Sequence, residues 1–121
     1  MTRLSVQARE GILIAYVAGE IDAATARDLR DAIAGRLTNV GPGLVLDLSD
    51  ATYLDSAGIE FIFDLARRLR THGQLLRLVV PAEAPMRRVL DLSHIEQVTE
   101  VDTTVEAATD GLRDALMDER A

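Results

Sequence analysis

The sequence predicts an α/β fold with a mostly parallel sheet of four to five strands, an antiparallel amino-terminal edge strand and about four helices. Short apolar runs typical of buried strands alternate along the chain with segments whose apolar residues recur at helical spacing. Only the turn signal Glu10-Gly11 separates the first two strand-like segments, which favours a hairpin. The chain has 121 residues and is expected to form one domain over residues 1–121.

The predicted strands differ in their burial. Leu4, Val6 and Ala8 alternate with polar residues, which is typical of an edge strand. Residues 12–18 are apolar on both faces and predict a central strand, which Gly19 is expected to end. The remaining strands are expected at residues 44–48, 75–80 and, as a short last strand, 97–101.

Helical apolar periods and capping residues predict four helices. Asp22 is the expected N-cap of the first helix and Ser56 that of the second, because a side-chain oxygen there accepts bonds from otherwise unpaired backbone N–H groups. A capping box from Thr103 to Glu106 is expected to start the last helix, in which Gly111 is a weak point. The helices are predicted at about residues 23–37, 57–71, 83–92 and from 103 onward, with a break at residues 38–43.

The predicted second helix leaves two questions open. Its apolar stripe consists of Ile59, Ile62, Phe63, Ala66 and Leu69. Phe61 and Leu65 lie off this stripe and are either packed against a neighbouring helix or part of a contact surface. Several arginines follow on this helix and the next, and they form either solvated faces or a patch for an acidic partner: Arg67, Arg68, Arg70, Arg87 and Arg88.

Composition and charge argue against several classes of partner. The formal net charge is −7 and all thirteen basic residues are arginines, whereas proteins that bind nucleic-acid backbones usually carry the opposite balance. We therefore expect no direct nucleic-acid partner. The chain has no cysteine, and its two histidines have no metal-ligand spacing, so neither a cofactor nor a metal is predicted. The longest strictly apolar run, residues 12–18, is too short to span a bilayer, which predicts a cytoplasmic protein without membrane insertion.

The stretch YLDSAG, residues 53–58, places a serine hydroxyl at a predicted helix start. A serine in this position most often serves as a cap alone. Ala57 and Gly58 have almost no side chains, however, and should leave the hydroxyl accessible. The positive end of a helix also tolerates a phosphate, so Ser56 is a candidate acceptor as well as a cap.

Carboxylates are expected around this serine. Asp55 precedes it, and Asp22 stands at the start of the other parallel helix. Each aspartate on its own is readily explained by capping or turn formation. Because a phosphoserine adds about −1.5 to −2 charges, modification here would make an acidic edge strongly repulsive. Such a site would act as a binding switch.

A serine hydrolase is the enzymatic alternative. No G-x-S-x-G elbow is present, and His72 falls at the far end of the helix that Ser56 begins. That helix separates the two residues by roughly 20 Å at 1.5 Å per residue. We therefore do not expect an enzyme.

GEID at residues 19–22, LVLDLS at residues 44–49 and LDSAG at residues 54–58 together resemble the STAS domain of anti-sigma factor antagonists, also called anti-anti-sigma factors. The resemblance covers nearly the whole chain. In that family the motif serine, which matches Ser56, is phosphorylated by a partner that is both anti-sigma factor and serine kinase. Asp22 and Asp55 match family aspartates. Ala57 stands where some members carry a second serine, and Ser93-His94 where many have a glycine turn.

The resemblance implies a partner-switching mechanism. The unphosphorylated antagonist binds the kinase and so releases a sigma factor, phosphorylation breaks the complex, and a serine phosphatase restores it. Partner contacts are then expected at Asp22, Asp55, Ser56, Ala57 and Gly58. The alternative is a STAS adaptor subunit of a stress-signalling scaffold or lipid-transport complex, in which Ser56 is only a helix cap.

Overall fold

A computed structural model of the chain describes residues 2–37 and 41–120. In chain order the elements are β1 (Arg3–Arg9), β2 (Ile12–Ile21), α1 (Ala23–Ala34), β3 (Gly43–Asp47), β4 (Ala51–Leu54), α2 (Ser56–Thr71), β5 (Leu75–Val79), α3 (Met86–Leu92), a 3-10 helix (Ile95–Gln97), β6 (Glu100–Asp102) and α4 (Val105–Arg120). Residues 38–40 of the predicted break lie outside the described residues.

The sheet has six strands and is parallel except at one edge. Five strands lie in the order β1-β2-β3-β5-β6, and β4 lies off this path beside β2. Among the described strand pairs, only β1 and β2 are antiparallel. The predicted fold class is confirmed. Sequence reasoning missed β4, because its middle residues Thr52 and Tyr53 are exposed and no apolar run marks the strand.

Gly19 does not end β2, so the strand is longer than predicted. Gly19 has a φ of +92°, and the register of the β2–β4 pair shifts between Gly19 and Glu20. Glycine adopts such a positive φ without steric cost. The shift leaves Thr52 of β4 without a partner residue on β2, so the extra residue of this irregularity lies in β4. β2 pairs with β3 from Leu13 to Tyr16 and with β4 from Gly19 to Ile21.

β1 and β2 are joined by a two-residue turn at the predicted place. Arg9 lies opposite Ile12, and the intervening Glu10 and Gly11 have φ values of +52° and +82°. Positive φ at both central residues is the mark of a type I′ turn, whose twist matches that of a hairpin. Arg113 of α4 forms an ion pair with Glu10, which ties the turn to the last helix.

Helices cover both faces of the sheet. The larger buried cluster lies beneath α1, α2 and α3 and includes Leu44 and Leu46 of β3. The smaller cluster lies beneath α4 and consists of Ile12, Ile14, Val45, Val79, Ala108 and Leu112. Successive side chains of a strand point to opposite faces, which is why Val45 belongs to a different cluster from its neighbours.

Phe61 and Leu65 of α2 are packed in the core. Both are buried, together with Ile62, Ala66 and Leu69. Ile59 and Phe63, which the predicted stripe placed on the same face, are only partly buried. The apolar stripe predicted from the sequence therefore contains residues of two different faces of α2: Ile62, Ala66 and Leu69 face the core, and Ile59 and Phe63 lie nearer the surface.

Several predicted boundaries are shifted. α1 ends at Ala34, where Gly35 provides the C-cap, and does not continue to residue 37. α3 begins at Met86, with Pro85 at its N-cap, because proline is tolerated only at a helix start. The last helix is capped one residue later than expected: Thr104 Oγ1 accepts a hydrogen bond from Ala107 N at 3.1 Å. The predicted last strand is shorter and lies at Glu100–Asp102.

Gly111 of α4 lies directly against an ion pair between two strands. Arg77 Nε and Nη2 donate to Asp102 Oδ2 and Oδ1 at 3.0 and 3.1 Å. The two side chains are only 19% and 15% exposed. A Cβ at Gly111 would lie 2.4 Å from Arg77 Cζ. The glycine, predicted as a weak point of the helix, therefore makes room for this ion pair.

Candidate functional site

Two helix starts lie side by side at the carboxyl edge of the sheet. Ile21 of β2 pairs with Leu54 of β4 in parallel register, and Asp55 N donates to Ile21 O at 3.4 Å. Asp22 and Asp55 directly follow the paired residues, so α1 and α2 begin next to each other. The predicted proximity of the GEID and LDSAG segments is confirmed.

Asp22 is the N-cap of α1, as predicted. Its Oδ1 accepts hydrogen bonds from Ala24 N and Thr25 N, both at 3.0 Å. The Thr25 hydroxyl in turn accepts a bond from Asp22 N at 3.0 Å, which completes a reciprocal capping box. The Asp22 carboxylate thus fastens α1 while adding negative charge to the edge.

Asp55 is the N-cap of α2, and the prediction that Ser56 caps this helix is wrong. Asp55 has an extended backbone, and its Oδ1 accepts bonds from Ala57 N at 3.0 Å and Gly58 N at 3.1 Å. An ionised carboxylate accepts hydrogen bonds more strongly than a hydroxyl, so the aspartate occupies the cap. Ser56 is the first residue of the helix, and its side chain is exposed.

Gly58 allows α2 to approach the sheet closely. A Cβ at this position would lie 2.4 Å from Leu54 Cδ1 and 2.6 Å from Ile21 O. The sequence predicts that Gly58 keeps the serine open to a partner, but the glycine is buried and the position that a Cβ would take faces Leu54 and Ile21 in the interior. Ala57 is partly buried, which leaves Ser56 as the exposed residue of the DSAG segment.

An open groove runs from Ser56 along α2 and is bounded on its other side by α3. It encloses about 690 Å³. Its apolar lining consists of Ile59, Phe63, Val89 and Leu92. Leu92 is 70% exposed and Val89 40% exposed, whereas large apolar side chains of a monomer are usually scattered singly over the surface. We call this surface, formed by α2 and α3, the α2–α3 groove.

Charged residues stand at the two ends of the α2–α3 groove. Asp55 and Glu60 lie at the Ser56 end, and Arg67 lies three turns further along α2, about 16 Å away at 1.5 Å per residue. Arg67 Nη2 donates to Asp64 Oδ1 at 3.0 Å. Arg30 of α1 lies 3.6 Å from the other oxygen of the same carboxylate. Two guanidinium groups share one carboxylate, so Asp64 alone does not balance the charge of both.

Sequence reasoning missed this groove, although one signal pointed to it. Ser56, Ile59, Phe63 and Arg67 lie at helical spacing along one side of α2. The contribution of Leu92 could not be predicted, because its exposure depends on how α3 packs against β4 and the 3-10 helix.

His72 does not lie beside Ser56. His72 is the C-cap of α2, at the opposite end of the helix, where its Nδ1 lies 2.9 Å from Arg68 O. Within residues 2–37 and 41–120, no group of three His, Cys, Asp or Glu side chains is arranged to hold a metal ion. None of the helices in these ranges has both the length and the hydrophobicity that a membrane-crossing segment needs.

The sequence profile of the STAS domain matches residues 3–108. The fold agrees with this match, since the parallel sheet, the antiparallel first strand and the two adjoining helix starts are all present. The chain therefore belongs to the STAS domain family, as the resemblance in its motifs predicted.

Relatives that span almost the whole chain are named as anti-sigma factor antagonists. The anti-sigma-F factor antagonist RsfB of Mycobacterium tuberculosis is 27% identical over 116 residues, which cover 95% of this chain and 93% of RsfB. The crystal structure of an anti-sigma factor antagonist from Mycobacterium paratuberculosis superposes with a TM-score of 0.82 and 26% identity, over 93% of this chain and 95% of the other. The anti-sigma factor antagonist SpoIIAA, solved in its unphosphorylated form, shares the fold with a TM-score of 0.73 at 18% identity, over 94% and 97% of the two chains.

Proposed function

We propose that this protein is an anti-sigma factor antagonist that works by phosphorylation-gated binding, without catalysis of its own. Its unphosphorylated form binds an anti-sigma factor that is also a serine kinase, and a sigma factor is released. Phosphorylation of Ser56 abolishes this binding, and a serine phosphatase restores it. The protein acts in the cytoplasm, where sigma factors meet RNA polymerase, and makes no direct contact with nucleic acid.

The position of Ser56 is the observation that carries this proposal. The hydroxyl is exposed on the first residue of α2, while Asp55 supplies the cap through bonds of 3.0 and 3.1 Å. A phosphate can therefore be added to Ser56 without removing the cap. The modified protein should keep its fold while its surface changes, as a reversible switch requires.

The charge around Ser56 supports the gating step. Asp55 adjoins the serine, Asp22 lies at the neighbouring helix start, and the protein carries a formal net charge of −7. A phosphoserine adds about −1.5 to −2 charges at neutral pH. A kinase must hold the terminal phosphate of ATP against the hydroxyl that it modifies, so the product phosphate would repel the nucleotide at the same place.

Ser49 is the competing acceptor at this edge of the sheet, and its surroundings favour Ser56. The Ser49 hydroxyl donates to Asp47 Oδ1 at 2.6 Å, and Ser49 N donates to the same oxygen at 2.8 Å. Both bonds belong to the turn between β3 and β4 and hold the hydroxyl against a carboxylate. The cap of α2 imposes no such bond on Ser56.

The proposal is tested by phosphorylation with the serine-kinase anti-sigma factor of the source organism and ATP. Mass spectrometry should locate one phosphate on Ser56 of the wild-type protein and of Ser49→Ala, and none on Ser56→Ala. Phosphate on Ser49, with Ser56 unmodified, would contradict the assignment of the acceptor.

Binding measurements test the gate itself. Unphosphorylated wild-type protein and Ser56→Ala should bind the anti-sigma factor, and Ser56→Asp should bind at least tenfold more weakly. If Ser56→Asp binds the anti-sigma factor as tightly as the wild-type protein does, the result would instead support the STAS adaptor alternative, in which the serine has no regulatory role. Gel filtration and circular dichroism of each variant check that the fold is retained.

A further inference from the structure

We infer that the α2–α3 groove binds one amphipathic helix of the anti-sigma factor, and that Arg67 sets the direction of this helix by pairing with an acidic side chain at one of its ends. The inference rests on the proposed function, because it takes the occupant from the partner that approaches Ser56. It adds the chemistry of the contacting segment and its orientation.

The lining of the groove requires an apolar face on the occupant. Ile59 and Phe63 on one wall and Val89 and Leu92 on the other converge on the same space of about 690 Å³. Leu92 is 70% exposed without a partner, so its burial would remove apolar area from water. Ser56 lies at one end of this lining, so a protein that engages the serine lies next to the groove.

The walls of the groove favour a helix as the occupant. Both walls are helices, whose backbone N–H and C=O groups are bonded internally except at the ends. The groove therefore offers no strand edge to an extended segment, whose own backbone groups would lose water without gaining partners. A helix satisfies its backbone internally, and three turns of it would span the distance of about 16 Å along α2 from Ser56 to Arg67.

The charges at the two ends distinguish the two directions of such a helix. Arg67 is 73% exposed and held by Asp64, which it shares with Arg30. An acidic side chain of the occupant is attracted at this end. At the other end Asp55 and Glu60 would repel it. Charges placed in this way fix register and orientation more than they add affinity.

Charge reversal with a matched control tests the inference. Arg67→Glu and Arg68→Glu change the net charge equally and lie one residue apart on exposed positions of α2, but only Arg67 lines the groove. For the purified anti-sigma factor we expect Arg67→Glu to weaken binding about five- to tenfold at low salt, with a smaller loss at high salt. Arg68→Glu should bind within about twofold of wild type, in keeping with the small effect of exposed charges. Equal affinities of the two variants would overturn the inference.

Crosslinking identifies the occupant directly. A benzophenone side chain in place of Phe63, in the middle of the groove, should crosslink to one helix of the anti-sigma factor. An acidic residue at one end of that helix, changed to arginine, should restore binding to Arg67→Glu. Crosslinks to a strand or loop, or the absence of any rescuing residue, would contradict the helix and its direction.

The same measurements separate this inference from the proposed function. If the wild-type protein is bound by the anti-sigma factor and phosphorylated on Ser56 while Arg67→Glu behaves like Arg68→Glu, only the groove inference fails. If the wild-type protein is neither bound nor phosphorylated, the proposed function fails with it. Urea unfolding of both variants shows whether any loss of binding reflects a loss of stability.

Discussion

Asp22 and Asp55 hold equivalent positions: each follows one member of the Ile21–Leu54 pair of neighbouring parallel strands, and each caps a helix with its Oδ1. The two caps differ in their support. The Thr25 hydroxyl accepts a hydrogen bond from Asp22 N, whereas the matching position of α2 is Gly58, which has no side chain. Among side chains, α2 therefore depends on Asp55 alone for its cap.

Substitutions of Asp55 separate its capping role from its charge. Asp55→Asn keeps an accepting oxygen, so the free energy of unfolding should stay within about 0.5 kcal/mol of wild type. Asp55→Ala loses two bonds to backbone N–H groups and should lower it by about 1 kcal/mol. Urea unfolding measures both changes. Equal stability of the alanine variant and the wild type would show that the cap contributes nothing.

Gly58→Ala should destabilise the protein although alanine is the better helix former. Its Cβ would lie 2.6 Å from the backbone oxygen of Ile21, which cannot move without disturbing β2. Such overpacking costs about 1–3 kcal/mol. Gly35→Ala is the control, since its φ of −67° suits alanine and the nearest atom is 3.5 Å away. Thermal unfolding should show a lower Tm for Gly58→Ala and no loss for Gly35→Ala.

Gly111→Ala should lower the free energy of unfolding when the Arg77–Asp102 ion pair is present and raise it when that pair is absent. In the wild-type background the added Cβ displaces the Arg77 guanidinium from Asp102, and a mostly buried charge pair loses its geometry. When Arg77 and Asp102 are both replaced by leucine, the same change should stabilise α4 by about 1 kcal/mol, the helix preference of alanine over glycine. A double-mutant cycle in urea measures the coupling. Stabilisation of equal size in both backgrounds would contradict the packing explanation.

Leu92→Ser should lower affinity for the anti-sigma factor and leave the stability of the protein unchanged. The side chain is 70% exposed, so little buried area is lost within the folded protein. Leu75→Ser is the matched control: Leu75 is 40% exposed, but it begins β5 and so lies at the opposite edge of the sheet from Ser56. Titration calorimetry should show weaker binding for Leu92→Ser alone. Equal loss in both variants would exclude a specific contact.

The sequence predicted the parts of the fold that depend on local periodicity. β3 was found because a strand buried on both faces is a continuous apolar run. The Glu10-Gly11 turn was found because its positive φ values favour a glycine, which is present as Gly11. β4 was missed because its two middle residues, Thr52 and Tyr53, are exposed, so no apolar run marks the strand. His94 has a φ of +60°, a conformation that glycine adopts readily. In the sequence this turn was visible only as a departure from the family pattern, because Ser93-His94 stands where many members have a glycine turn.

The position of the candidate site was predicted better than the roles of its individual residues. The sequence predicted that Asp22 and Asp55 lie close together, because each follows a parallel strand and the carboxyl ends of parallel strands meet at one edge of the sheet. The capping role given to Ser56 was wrong, because a shift of one residue in the helix start decides which side chain caps the helix. The groove could not be derived, as it depends on the packing of α3.

The short pairing of β4 has a consequence for the motion of the residues around Ser56. From Leu13 to Tyr16, β2 is held between β1 and β3, whereas β4 is joined to β2 through a ladder of three residue pairs, Gly19–Ala51, Glu20–Tyr53 and Ile21–Leu54. A short ladder opens at lower free energy than the centre of a sheet. We therefore expect the amide hydrogens of β4 to exchange with solvent sooner than those of β3. Ser56 thus follows a strand that we expect to open locally at lower free energy than the centre of the sheet, which would help a kinase to reach the serine.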